Sequence, residues 1–170
     1  MAHRATKARN PQRIEAMTTH LDVEAARQAF ETALREHRPE FGAFFLTRFY
    51  GLEFTYSADT CVVRLPVHNF MFNPQGSLHG GVIAFALDVS MGHLLKHTFG
   101  GPGVTMEMKT QYFVPVRGPH ASCEARFLHK GKSTCFMESR MTDADGTLAA
   151  ASTATWRVLK AATPDAPPKP

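Results

Sequence analysis

The chain is short of cysteine. Three are present among 170 residues, Cys61, Cys123 and Cys135, and no two form a CxxC pair. An odd count without paired spacing argues against a disulfide scaffold or a cysteine-rich zinc site, and fits a reducing, cytoplasmic compartment. No internal repeat is present, and no apolar h-region follows the N-terminus, so a secretory signal is not expected. No long apolar run is free of charge. The most hydrophobic segment, His79 to Phe99, carries Asp88, Ser90, His93 and Lys96, which argues against a membrane span. Acids are missing from residues 1–14, which hold Arg4, Lys7, Arg9 and Arg13 and so account for the whole net charge of +4. The rest is neutral, and four tail charges are too weak a footprint to imply a nucleic-acid partner. An Arg-rich, acid-free tail also has the composition of an organellar targeting segment.

What is there is ordinary globular material, 44% hydrophobic and 20% charged, which excludes disorder, collagen and a coiled coil. The expected organisation is a flexible basic segment at 1–20, a single domain at 21–160 and a flexible Pro-rich tail at 161–170. Prolines 164, 167, 168 and 170 would interrupt a helix interior or a central strand in that tail.

Hydrophobic spacing predicts the elements. Asp22 to Arg38 reads as an amphipathic helix, capped by Asp22 and ended by Pro39 and Gly42. Strands follow at Phe49–Tyr56 and Thr60–Val67, then a loop to Leu78. His79 to Phe99 is apolar around nearly its whole circumference, the mark of a buried helix. Strands at Val104–Val116, His120–His129, Ser133–Thr142 and Thr147–Leu159 complete the chain, the last hairpin turning at Asp143-Ala-Asp-Gly146. The fold class is α+β, an antiparallel β-sheet wrapped around a long central helix. Met106 and Met108 are expected in the core or a substrate pocket.

Two anomalies carry chemistry. A carboxylate inside an apolar helix, Asp88, is costly unless paired or used, and desolvation would raise its pKa toward that of a general base. Its structural reading is a polar interface residue. Two glycines at a helix start, Gly80 and Gly81 after His79, leave first-turn amides open to a developing oxyanion. Asp88 lies nine residues after His79, roughly 900° of rotation and ~13.5 Å along the axis. One helix therefore cannot bring both to one substrate atom. If both act, the site spans two subunits and the protein is at least a dimer. Asn73 offers an amide donor, or is a turn residue beside Pro74. His93 and His97, at i and i+4, have metal-ligand spacing but no evident third ligand. They are read as structural residues suited to the negative end of the helix. Arg117, Lys130 and Lys132 could meet phosphates, or be solvated loop charges.

The run Asn73-Pro-Gln-Gly-Ser-Leu-His79-Gly-Gly, followed by Asp88 in Ala-Leu-Asp-Val-Ser, resembles the hotdog-fold acyl-CoA thioesterases of the PaaI, or phenylacetic acid degradation, type. Gly101-Pro-Gly-Val-Thr105, Tyr112-Phe-Val-Pro115, His129-Lys-Gly-Lys-Ser133 and Asp145-Gly-Thr-Leu-Ala-Ala150 extend the likeness over residues 44–159. The resemblance implies hydrolysis of an aryl- or fatty-acyl-CoA to the acid and CoA. It implies Asp88 as general base or nucleophile and the Gly80 amide, or that of Gly81, as oxyanion donor from the facing subunit. Asn73 and His79 would hold the carbonyl and the loop, and Thr105 would steady the water. The implied assembly is a homodimer, or a homotetramer of two such dimers, with no metal and no cofactor beyond the coenzyme A of the substrate. Three alternatives remain. A hotdog hydratase would need an Asp before Asn73-Pro74 and a closer His. A non-catalytic acyl-CoA-binding module would leave Asp88 without a task. A purely structural dimerisation domain would leave His79-Gly80-Gly81 unexplained as well.

Overall fold

The computed structural model describes residues 21–159. The expected flexible segments at 1–20 and 161–170 lie outside the described residues. Helix α1, Val23–Glu36, starts where the Asp22 carboxylate accepts the Ala25 N–H at 2.9 Å, with Glu24 in the first turn. Its Phe30 packs edge-on against Phe45 and Phe49 of a short helix α2, Phe45–Phe49.

Helix α2 corrects the expected strand start at Phe49. Phe45 and Phe49 stack one turn apart, and the Thr47 hydroxyl donates to the Phe44 carbonyl. Gly51, at φ +63°, then turns the chain, so β1 begins only at Glu53 and runs to Tyr56. Strand β2 is Thr60–Pro66, and a 3-10 turn, Asn69–Met71, breaks the following loop.

Helix α3, Gly80–Phe99, follows, and then β3 Gly103–Tyr112, β4 His120–Lys130, β5 Thr134–Asp143 and β6 Leu148–Val158. The sheet is antiparallel in the order β1-β2-β4-β5-β6-β3. It bears on α3 through β2 to β6. This explains the lack of amphipathic period in α3: Ile83, Ala86, Leu87, Val89, Met91, Leu94 and Leu95 are all buried because the sheet curls around the helix. Cys135, Met137 and Met141 of β5, and Ala154 and Trp156 of β6, face it by simple alternation.

Strand β3 departs from simple alternation. Thr105 pairs with Trp156 and Glu107 with Thr155, so Met106 is the extra residue of a bulge. The bulge turns Thr105 inward and leaves Met106 60% exposed, which corrects its expected place in the core. Met108 does pack against the core. Pairing of β3 stops at Tyr112, short of the expected Val116, because both Phe113 and Val114 N–H groups reach the Ala149 carbonyl and Pro115 follows.

Candidate active site

Asp88 sits midway along α3, half-buried, where the helix passes the inward-turned start of β3. The Thr105 hydroxyl donates to Asp88 Oδ1 at 2.8 Å. Burial pushes the Asp88 carboxyl above the ordinary carboxylate range, and the Thr105 hydrogen bond opposes that shift. Both residues border a hollow of about 530 Å3, walled by the Pro39–Phe41 turn, Phe44, Val89, Gly92, His93, Val104 and Trp156. A carboxylate with one stabilising donor in an apolar recess can take a proton from water or attack an electrophile.

The other predicted residues gather at the N-terminus of α3. His79 is the N-cap, and its Nδ1 accepts the Gly81 N–H at 2.9 Å. That bond occupies the Gly81 amide and leaves Gly80 as the first-turn N–H without a partner among the described residues. The Tyr112 hydroxyl donates to the Gly80 carbonyl at 3.1 Å and ties the helix start to the end of β3. The Asn73 side chain is engaged within its own loop. Its Oδ1 accepts the N–H groups of Gln75 and Ser77, and its Nδ2 donates to the Ser77 hydroxyl at 3.2 Å. Asn73 therefore shapes the turn that delivers His79, whose own N–H bonds to the Met71 carbonyl. Asn73, Ser77, Gly80 and Tyr112 line a second hollow of about 340 Å3.

Asp88 with Thr105, and Gly80 with Asn73, thus border different hollows of one chain. Lys130 and Lys132 border neither. Lys130 ends β4 with its ammonium 5.6 Å from the Phe127 ring centre, and Lys132 lies in the hairpin turn. Arg117, in the loop after β3, is half-buried with a buried Nε lacking a partner.

Sequence reading missed Tyr112, Ser77 and His93 as site neighbours. His93 does not serve as a cation at the helix end. His93 is 4% exposed, and burial together with Lys96 lowers its pKa to about 4. It bonds Tyr56, 37 residues away, a partner no local spacing reveals. Among the described residues no group of three His, Cys, Asp or Glu could hold a metal ion. No described helix is long and apolar enough to cross a membrane.

The family model described as Thioesterase superfamily matches residues 75–150, a span that contains His79, Gly80, Asp88 and Thr105. A protein of Saccharolobus solfataricus, SSO2140, whose name carries a provisional esterase assignment, is 33% identical over 58% of this chain and 71% of its own. Among solved structures, BH2602 from Bacillus halodurans, crystallised with CoA, is 26% identical with a TM-score of 0.70, covering 82% of this chain and 92% of its own. The E. coli PaaI protein from the phenylacetic acid degradation operon has a TM-score of 0.68 at 15% identity, covering 78% of this chain and 97% of its own. That last likeness is one of fold alone.

Proposed function

Because the chain belongs to the thioesterase superfamily, we propose that it is an acyl-CoA thioesterase, hydrolysing an aryl- or fatty-acyl-CoA to the free acid and CoA. The observation that carries this reading is a carboxylate kept in an apolar hollow with a single hydroxyl donor, Asp88 with Thr105. A structural carboxylate at such a place would be fully paired, whereas this one faces open space.

In the mechanism, ionised Asp88 activates a water or attacks the thioester carbon itself. Thr105 steadies the carboxylate. The Gly80 N–H, at the positive end of the α3 dipole, takes the charge that develops on the carbonyl oxygen. His79 holds that first turn in shape by accepting the Gly81 N–H. General-base assistance is worth about 10²–10⁴-fold and one oxyanion donor about 10²–10³-fold. Lys130 and Lys132, with Arg117, would meet the phosphates of the coenzyme.

Asp88 and Gly80 lie eight residues apart on α3, ~12 Å along its axis, and border different hollows, so the proposed site takes one of them from each of two subunits. Strand β3 supports a homodimer, because it is a sheet edge with exposed Val104, Met106, Tyr112 and Phe113 on it or just beyond it. A two-fold pairing there would bring two copies of α3 side by side, and two dimers would make a tetramer. The three free, buried cysteines fit a cytoplasmic location.

Thiol release from a panel of aryl- and straight-chain acyl-CoAs tests the reading. Hydrolysis is expected, and Asp88→Asn is expected to lower kcat by ~10²–10⁴-fold. Binding of acyl-CoA without hydrolysis of any panel member would make the protein a non-catalytic binding module.

A further inference from the structure

Two peptide units meet at Gly80, and they carry four hydrogen-bonding groups. Among the described residues, three of the four are taken. The His79 carbonyl accepts the N–H groups of Val82 and Ile83 at 2.9 and 3.1 Å. The Gly81 N–H donates to His79 Nδ1 at 2.9 Å. The Gly80 carbonyl accepts the Tyr112 hydroxyl at 3.1 Å. The group left open is the Gly80 N–H, the donor that the proposed reaction uses.

A peptide unit is planar, so the Gly80–Gly81 unit is a rigid plate held at both ends, by Tyr112 on its oxygen and by His79 on its nitrogen. Glycine has no Cβ to restrict its torsions, and two in succession would leave this turn loose. The two side chains supply the restraint that the glycines lack. Tyr112 is itself well anchored. It is the last residue of β3 and pairs with Ala150, and the next two N–H groups, of Phe113 and Val114, both close on the Ala149 carbonyl. Its ring lies alongside the glycine, so that a Cβ at Gly80 would stand 3.5 Å from Cε1 and Cζ. Tyr112 also borders the hollow that Gly80 and Asn73 line, and it is more than half exposed. Water could serve an exposed phenol equally well, so this bond adds little net stability, and its main consequence is geometric.

We propose that Tyr112 is a positioning residue for thioester hydrolysis: its hydroxyl, acting through the Gly80–Gly81 peptide, sets the direction in which the Gly80 N–H points. The inference rests on the hydrolysis proposed above and adds a residue to it. A hydrogen bond weakens steeply as its angle closes, so a donor that wanders stabilises the developing oxyanion less. That stabilisation is greatest in the transition state, so its loss falls on kcat rather than on KM.

Tyr112→Phe keeps the ring and removes only the hydroxyl. By thiol release from the best acyl-CoA of the panel, it is expected to lower kcat about tenfold, a part of the ~10²–10³-fold that a whole oxyanion donor supplies, with KM little changed. Gly80→Pro removes the N–H that Tyr112 is proposed to aim, so adding Tyr112→Phe to it should cost nothing further. An unchanged kcat in Tyr112→Phe, or the same loss repeated on top of Gly80→Pro, overturns the assignment. Amide hydrogen exchange at Gly81, followed by NMR, reads the hold on the peptide without turnover. Tyr112→Phe is expected to speed that exchange, and an equal rate overturns the assignment, even if Gly80→Pro does not fold. Should the wild type hydrolyse no acyl-CoA, the proposed function fails, and exchange at Gly81 decides separately whether Tyr112 holds the turn. Faster exchange in the variant upholds that hold, and an equal rate overturns it.

Discussion

Asp88 is held where its charge is disfavoured, and its ionisation links stability to pH. Burial raises its folded pKa above the unfolded value, so the folded state binds a proton more readily. Its contribution to stability is therefore lost as pH rises through the raised pKa, and at neutral pH the ionised group opposes folding. Asp88→Asn is accordingly expected to raise Tm at pH 7, measured by thermal unfolding, in the same variant that is proposed to lose turnover. A drop in Tm would mark Asp88 as a structural residue instead. Thr105 acts in the opposite sense, since its donated hydrogen bond favours the carboxylate. Thr105→Val should move the acid limb of the kcat/KM–pH profile to higher pH, because the base then protonates more readily. Asp88 was legible in the sequence as a charge inside an apolar helix. His93 was not, because Phe54 and Tyr56, which define its state, lie 37 or more residues away.

The central element, α3, depends on close approach to β6. A Cβ added at Gly92 would lie 2.9 Å from Trp156 Cη2, so only glycine lets the indole lie against the helix. Alanine would add ~1 kcal/mol of helix propensity but force the indole aside, and overpacking outweighs it at about 1–3 kcal/mol. Gly92→Ala is therefore expected to lower stability in urea titration, and to disturb the hollow that Gly92 and Trp156 share. Element positions were readable where a period was long. Helix α2 was not, because five residues carry too little period to compete with the alternation of Leu52, Phe54 and Tyr56 that follows. The β3 bulge was also hidden, since alternation alone put Thr105 and Met108 on opposite faces and only the pairing with β6 reveals the extra residue.

The whole molecule sets the last question, whether one chain contains a complete site. Gly80→Pro removes the candidate N–H at a first helical position where proline is tolerated, and extended His79 suits a following proline. Mixed with Asp88→Asn, a site shared between subunits would regain up to about a quarter of wild-type activity, since half of random dimers are mixed and one of their two sites is intact. A mixture that stays inactive despite demonstrated subunit exchange would place the whole site in one chain. The sequence by itself determined the α+β class, the buried central helix and the marked residues His79, Gly80 and Asp88, because burial and backbone exposure write themselves into local composition and period. Only the tertiary structure decided that Gly81 is occupied by His79, that Asn73 serves its own loop, that Thr105 reaches Asp88, and that His93 and Trp156 wall one hollow. Each of those depends on which distant segments meet, and hydrogen bonds between strand, helix and loop leave no period in a linear chain.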